Sequence, residues 1–320
     1  MELKETQWKL LSHIYHTGRE SITAIAKATK LTRIQVEYNL DKLKKEGVVK
    51  KYLTMFNYRA LGYNNYVFLL VKLEKFSSFK DFTKVLDNSK NCISWGECFG
   101  RYDIFTNLIF KNEKDITKFI SNLNNNKNTP LLDYLLIKPY LTEFYHLKLF
   151  EHKEKNIFPF TFPDGKKEKL DKNEIKMLKL LENDGQMKVI DIAHNLDISA
   201  ELALYKLRKL YMKKIILGTR LQLDMKKLEY NYSGFFMHIK NLSETTISKL
   251  KNFARNHRLV NALVLSLMKP NCFMQVFHKT EDELKETIRE IKILLKDELF
   301  ELEILLLDAE DKVNTLPFFK

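Results

Sequence analysis

Leu31-Thr-Arg-Ile-Gln-Val-Glu-Tyr-Asn-Leu-Asp-Lys-Leu-Lys-Lys-Glu-Gly-Val-Val49 decides the fold of the N-terminal segment. Thr32 is a residue type that caps helix N-termini, and Val36, Leu40 and Leu43 recur at helical spacing as one buried stripe. The helix runs from Thr32 to about Glu46 and Gly47 ends it. Upstream, Ile22–Ala28 is a short helix closed by a turn at Lys30–Thr32. Before it, a turn at Gly18 follows an amphipathic helix over Trp8–Tyr15 with apolar residues at 8, 10, 11 and 14. Downstream, Val48–Phe56 predicts two short strands. Three helices and a small hairpin make a winged helix-turn-helix.

Sliding the sequence by 167 residues aligns Thr6–Tyr63 with Asn173–Tyr230 without a gap, and 11 of the 58 positions are identical, among them Gly18/Gly185, Tyr38/Tyr205, Lys42/Lys209 and Leu43/Leu210. Many others exchange apolar for apolar, such as Leu31/Ile198. The period is far too long for a solenoid, so the chain is a duplication. After each winged helix the pattern changes. Tyr66–Leu73, Phe76–Leu86, Ile93–Phe99, Tyr102–Phe110, Lys114–Leu123 and Leu131–Ile137 read in the order βαββαβ, a ferredoxin-like split fold. Gly234–Lys240, Glu244–Asn256, Leu259–Leu267, Cys272–His278, Glu281–Leu295 and Leu299–Leu307 repeat that order. The expected fold is α+β, two tandem copies of a winged helix-turn-helix followed by a ferredoxin-like βαββαβ module. The expected domains are winged helices at 1–60 and 170–227, ferredoxin-like modules at 61–144 and 228–310, an extended linker at 145–169 and a tail at 311–320.

The 320 residues are 45% hydrophobic and 30% charged, with 9 Gly and 6 Pro, which excludes disorder and collagen-like repeats. No apolar run approaches the ~20 residues of a membrane helix, and the charged N-terminus is no secretory signal. Three cysteines fit a reducing compartment, and a cytoplasmic protein without membrane attachment is expected. Of the net charge of +13, residues 1–60 hold +6 (12 basic, 6 acidic) and residues 170–227 hold +4 (12 basic, 8 acidic). Positive charge gathered on the two winged helices points to a polyanionic partner.

Ile22-Thr-Ala-Ile-Ala-Lys27, Leu31-Thr-Arg-Ile-Gln-Val36, Leu43-Lys-Lys-Glu-Gly-Val-Val49, Leu61-Gly62 and above all Cys98-Phe-Gly-Arg-Tyr-Asp103 resemble the Lrp/AsnC (leucine-responsive, feast/famine) transcription regulators. As two tandem copies, the resemblance covers about nine-tenths of the chain. It implies a DNA-binding regulator whose effector modules pair as back-to-back sheets, in a homodimer or an internal pseudo-dimer. It also implies a small-molecule effector, often an amino acid, near the Gly-x-Tyr-Asp turn, here Gly100, Tyr102 and Asp103. The second copy departs from this pattern. Leu267-Met-Lys-Pro270 stands opposite Gly100–Asp103, and Ala200, Glu201 and Leu202 stand opposite Arg33, Ile34 and Gln35.

In a helix-turn-helix the early residues of the second helix meet base edges. Arg33, Gln35, Tyr38, Asn39 and Lys42 are the candidate readers, with Thr32 at the helix entry. Arg suits guanine, while Gln and Asn suit adenine. Lys44, Lys45, Lys50 and Lys51 would meet phosphates of double-stranded DNA, as would Lys206, Lys209, Lys213 and Lys214 in the second copy. Degenerate winged helices contacting protein instead are an alternative, suggested by the apolar Leu202-Ala-Leu204. Siroheme decarboxylases share this module order and are the enzymatic alternative. Their His-rich pattern over strands two and three is missing, because neither Ile93–Asp103 nor Leu259–Phe277 contains histidine, so the expected proton donor is absent. The scattered histidines, the cysteines and the absence of phosphate-binding loops point to no metal, no cofactor and no enzyme.

Overall fold

A computed structural model describes residues 3–145, 148, 160–161, 166–308 and 312–319. In the first copy, α1 (Glu5–Ile14), α2 (Ile22–Thr29), α3 (Arg33–Lys45) and β1 (Val49–Phe56) precede β2 (Asn65–Leu73), α4 (Phe79–Asn88), β3 (Cys92–Phe99), β4 (Ile104–Phe110), α5 (Glu113–Asn124) and β5 (Leu131–Ile137). Two further strands, β6 (Pro139–Phe144) and β7 (Phe160–Thr161), follow. The second copy repeats the order with α6 (Lys172–Asn183), α7 (Val189–Leu196), α8 (Ala200–Met212), β8 (Ile216–Leu223), β9 (Asn231–Ile239), α9 (Glu244–Asn256), β10 (Val260–Ser266), β11 (Cys272–His278), α10 (Glu281–Leu295) and β12 (Leu299–Leu307), and ends with β13 (Lys312–Val313). The two βαββαβ modules expected from the sequence are present. Of the extended connector expected at 145–169, residues 146–147, 149–159 and 162–165 lie outside the described residues.

The chain divides into two compact units that do not follow the two copies. One gathers both winged helices (1–64 and 163–224) with residues 314–320; the other gathers both ferredoxin-like modules (65–162 and 225–313).

In the first unit the expected wing hairpin is absent. Val49–Phe56 is one uninterrupted strand, because Val-Lys-Lys-Tyr-Leu-Thr-Met-Phe holds no Gly, Pro, Asn or Asp on which to turn. Its partner is the equivalent strand of the other copy. β1 runs antiparallel to β8, with Tyr52 opposite Leu221, Thr54 opposite Thr219 and Leu53 opposite Arg220. Leu53 and Arg220 are separated by the 167 residues of the sequence repeat, so a strand position faces its own duplicate and a pseudo-two-fold axis passes there. The flanking hydrogen bonds obey the same symmetry. Asn57 N donates to Ile215 O at 2.9 Å and Asp224 N to Val48 O at 2.8 Å. Gly18 N donates to Thr219 O at 3.0 Å and Gly185 N to Tyr52 O at 3.1 Å. These two glycines let the α1–α2 and α6–α7 turns sit against the ribbon; a Cβ on Gly185 would lie 2.5 Å from Tyr52 O. Backbone signs repeat too, with left-handed Lys30 (φ 56°) and Asp197 (φ 53°) ending α2 and α7. Each three-helix core is apolar, built from Leu10, Leu11, Ile14, Ile25, Val36 and Leu43 in one half and Met177, Leu178, Leu181, Ile192, Ala203 and Leu210 in the other. Leu316 of the C-terminal segment is also buried here, and Phe318 stacks on Tyr63 at 3.8 Å.

In the second unit the strands run β5-β2-β4-β3 and then β12-β9-β11-β10, so each module has the same internal order, and β6-β7 completes the ladder. The modules join where Leu306 and Leu307 pair with Phe99 and Cys98, where β13 extends along β3, and where β6 runs along β10. One face of the first sheet packs Val67, Leu69, Ile104 and Leu108 beneath α4 and α5. Its other face joins the second module. Leu70, Phe105 and Ile137 meet Phe236, Val264, Phe273 and Leu305 in a shared core, as sheets alternating apolar residues on both faces require. The two modules thus pack as back-to-back sheets within one chain.

Candidate nucleic-acid interface

The paired winged helices present two recognition helices, α3 and α8, on one unit. The entry of α3 is fixed by a capping box: Gln35 N donates to Thr32 Oγ1 at 3.2 Å, and Thr32 N donates to Gln35 Oε1 at 2.9 Å. Thr32 is therefore committed to the helix start. Gln35 is exposed, but with Oε1 engaged by Thr32 its amide can offer an outside partner the Nε2 donors and not donor and acceptor side by side. Arg33 is exposed on the first turn, Ile34 is 78% exposed and Tyr38 67% exposed one turn later. Asn39 differs from expectation. It is only 9% exposed, and its Nδ2 donates to Gln35 O at 2.7 Å, so it stiffens the helix from its flank and does not project outward.

The lysines near the end of α3 and along β1 fall into two groups. Lys42 lies 3.6 Å from Glu46, and Lys50 3.6 Å from Asp224. The Lys44 ammonium sits 5.0 Å from the centre of the Tyr52 ring and 3.4 Å from Gln186 Oε1, contacts that leave its charge uncompensated. Lys45, exposed, and Lys51, half-buried, have no ion pair among the described residues. In the second copy the candidate cations are mostly neutralised. Lys206 pairs with Asp171 at 2.5 Å, Lys209 with Glu174 at 2.7 Å and Lys213 with Glu168 at 2.5 Å. Glu174 is buried and is the third residue of α6, where it completes a capping box with Asp171. Lys214 is exposed in a left-handed turn (φ 52°) after α8. On α8, Leu202 (40% exposed), Tyr205 (61%) and Met212 (73%) face solvent.

The Gly100–Asp103 turn joins β3 to β4. Gly100 has φ 139°, and a Cβ there would lie 2.8 Å from Leu305 Cδ2. Tyr102 is buried in the core shared by the modules. Asp103, part of the implied effector turn, receives an internal amine: Lys72 Nζ donates to Oδ1 at 2.7 Å, and Leu73 N donates to Oδ2 at 2.8 Å. Its backbone closes the turn, with Cys98 N donating to Asp103 O at 2.9 Å. In the second copy Leu267 is 89% exposed at the equivalent turn.

A feature the sequence did not single out is an open groove of about 660 Å³ between α9 and α10. It contains His257, whose ring stacks on Phe253 at 4.8 Å and lies 3.2 Å from Glu290. Burial, with Lys148 and Arg258 nearby, pulls this imidazole down to about 4. The groove's lining residues lie up to 45 positions apart (249–294), beyond the reach of local periodicity. His278, at the end of β11, is held by Ser233 Oγ at 2.9 Å on the face opposite the shared core. Among the described residues no group of three His, Cys, Asp or Glu could hold a metal ion, and no helix is long and apolar enough to cross a membrane.

Residues 3–50 match the winged helix-turn-helix DNA-binding family model, which places this segment in the winged helix-turn-helix DNA-binding class. The HTH-type transcriptional regulator FL11 of Pyrococcus horikoshii is 26% identical over 118 residues, 37% of this chain and 78% of that protein. Its counterpart in Pyrococcus furiosus is 25% identical over the same shares. Over a little more than a third of its length the chain is thus similar to HTH-type transcriptional regulators. Over its full length it has the fold of the siroheme decarboxylase NirDL, with a TM-score of 0.63 and 15% identity over 99% of this chain and 96% of that one. A second structure of NirDL, in complex with an iron-uroporphyrin III analogue, gives a TM-score of 0.64 at 14% identity.

Proposed function

We propose that this protein is a sequence-specific, duplex-DNA-binding transcription regulator working as an internal pseudo-dimer. The observation that carries the reading is the β1–β8 ribbon, which sets two winged helices about one axis with the exposed Arg33, Gln35 and Tyr38 at the start of α3. Unpaired lysines at 44, 45 and 51 would capture the phosphate backbone, with release of counterions. Arg33 and Gln35 would then read base edges in the major groove. Residue types at the helix start support this role, since Arg and Gln offer donors to purine N7 and O6.

The Gly100–Asp103 turn is the proposed place of modulation by a small molecule such as an amino acid. Leu305 and Leu306 of the other module abut it, so a ligand there would act on the pairing of the two sheets. Equilibrium dialysis against an amino-acid mixture tests this separately from DNA binding. For the DNA reading the test is fluorescence anisotropy across a salt series, with the chain's own upstream DNA against random duplex. Tight binding that weakens steeply with salt and favours the upstream DNA supports a specific regulator. No binding at low salt removes the reading.

The whole-chain fold shared with NirDL favours a second reading, siroheme decarboxylation. Against it, β3, β4, β10 and the first six residues of β11 carry no imidazole to donate a proton. Incubation with siroheme, followed by mass spectrometry for loss of carboxyl groups, decides between them.

A further inference from the structure

A homodimeric helix-turn-helix reads a two-fold symmetric site because both halves carry the same side chains. This chain retains the two-fold backbone and has abandoned the two-fold chemistry. Across the pseudo-dyad, the first-turn residues Arg33, Ile34 and Gln35 of α3 are replaced by Ala200, Glu201 and Leu202 of α8. The lysines at 44, 45, 50 and 51 are replaced by Tyr211, Met212, Leu217 and Gly218. Of the cations on and just after α8, Lys206, Lys209 and Lys213 are held by Asp171, Glu174 and Glu168, which leaves Arg208 as the exposed cation of the helix without an ion pair among the described residues. In the first copy the positions equivalent to Asp171 and Glu174 are Lys4 and Gln7, which bring no negative charge to α3. One half therefore offers base donors and uncompensated positive charge. The other offers a carboxylate at Glu201 and apolar surface at Leu202 and Met212, and of the exposed α3 residues only Tyr38 has its like there, in Tyr205.

Resting on the DNA-binding reading above, we infer that the protein recognises an asymmetric duplex, in which α3 reads one half-site and α8 selects no sequence in the other. Glu201 faces the duplex where Ile34 does in the first half, and a carboxylate there disfavours close approach to phosphate. The second winged helix sets the position of the first on the duplex through the shared ribbon, and contributes little to affinity. The ligand is thus a single block of sequence without an inverted copy, unlike the palindrome that two identical helices would demand.

The test is selection from a random-duplex library by the full chain, followed by anisotropy on the selected duplex with variants. The expected consensus is one block without an inverted repeat. Arg33→Ala with Gln35→Ala should lower the preference for the selected duplex over a scrambled one by about ten- to a hundredfold. Glu201→Ala with Leu202→Ala should leave that preference within about twofold. Replacing Lys44 and Lys45 by Ala should reduce the salt slope by about 2, whereas replacing the ion-paired Lys206 and Lys209 should leave it nearly unchanged. Circular dichroism of each variant keeps loss of folding apart from loss of recognition. A palindromic consensus, or equal loss of preference from changes on the two helices, overturns the inference while leaving DNA binding intact. Failure of the wild-type chain to bind any duplex overturns both.

Discussion

Replacing Asp103 by Ala should weaken the second unit by a predictable amount, because both carboxylate oxygens are used. Oδ2 accepts from Leu73 N at 2.8 Å in a buried place, and Oδ1 from Lys72 Nζ at 2.7 Å, with the Lys72 side chain 33% exposed and that of Asp103 12%. Truncation leaves the Leu73 N–H without its acceptor, at ~1–3 kcal/mol. It also removes a partly solvated ion pair, adding ~1 kcal/mol. The total is roughly 2–4 kcal/mol. Asp103→Asn keeps an acceptor for Leu73 and loses only the charge, and Lys72→Met loses the same pair from the other side, so each should cost ~1 kcal/mol. The two tryptophans, Trp8 and Trp95, lie in different units, so in a Trp8→Phe background the fluorescence of Trp95 follows the second unit alone. With a urea m-value of ~2–3 kcal/mol/M, Asp103→Ala should lower the midpoint by about 1 M and the other two by a third to a half of that. An Ala variant within about 0.2 M of wild type, or an Asn variant as damaging as Ala, would show that the turn is not held by this carboxylate.

Gly185→Ala should destabilise the winged-helix unit by ~1–3 kcal/mol, since its Cβ meets backbone at Tyr52 O, and Trp8 fluorescence on heating should report it. Gly18→Ala, whose nearest neighbour is the Tyr52 ring at 2.9 Å, should be milder. Ending the chain at residue 313 removes the buried Leu316 and the Phe318–Tyr63 stack, and should lower the stability of the same unit by ~2–4 kcal/mol in a denaturant titration. His257 is neutral when folded down to about 4, against an ordinary value of 6.5, so the unfolded chain binds the extra proton first. Its contribution should hold above pH 6.5, fall as the pH drops, and be fully lost near pH 4. His257→Phe should flatten that part of a melting-temperature profile.

The elements were legible because their signals are local. Thr32 announced the start of α3, and the strand-sized apolar run within Tyr66–Leu73 announced β2. The fate of Val49–Phe56 was not, since a strand of this length says nothing of its partner; β1 finds it 167 positions away. The same holds for the site. Exposure of Arg33 and Tyr38 follows from helical phase, but Asn39 lies at the edge of the buried stripe, where phase alone cannot separate a flank from a face. That Lys206 and Lys209 are engaged depends on acids 35 residues upstream, and that Asp103 already holds an amine depends on Lys72 across the sheet. The lysines were visible as charge; their partners were not.

The Leu53–Arg220 pair has a consequence for how this protein can change. In an assembly of identical chains, any residue on the axis meets itself, and a guanidinium there would face a second guanidinium across one antiparallel ribbon. Joining the halves in one polypeptide lifts that restriction. Leu53 is buried and its opposite number is an arginine, a combination no pair of identical subunits can present. The fused gene mutates one half at a time, and dilution cannot part the two.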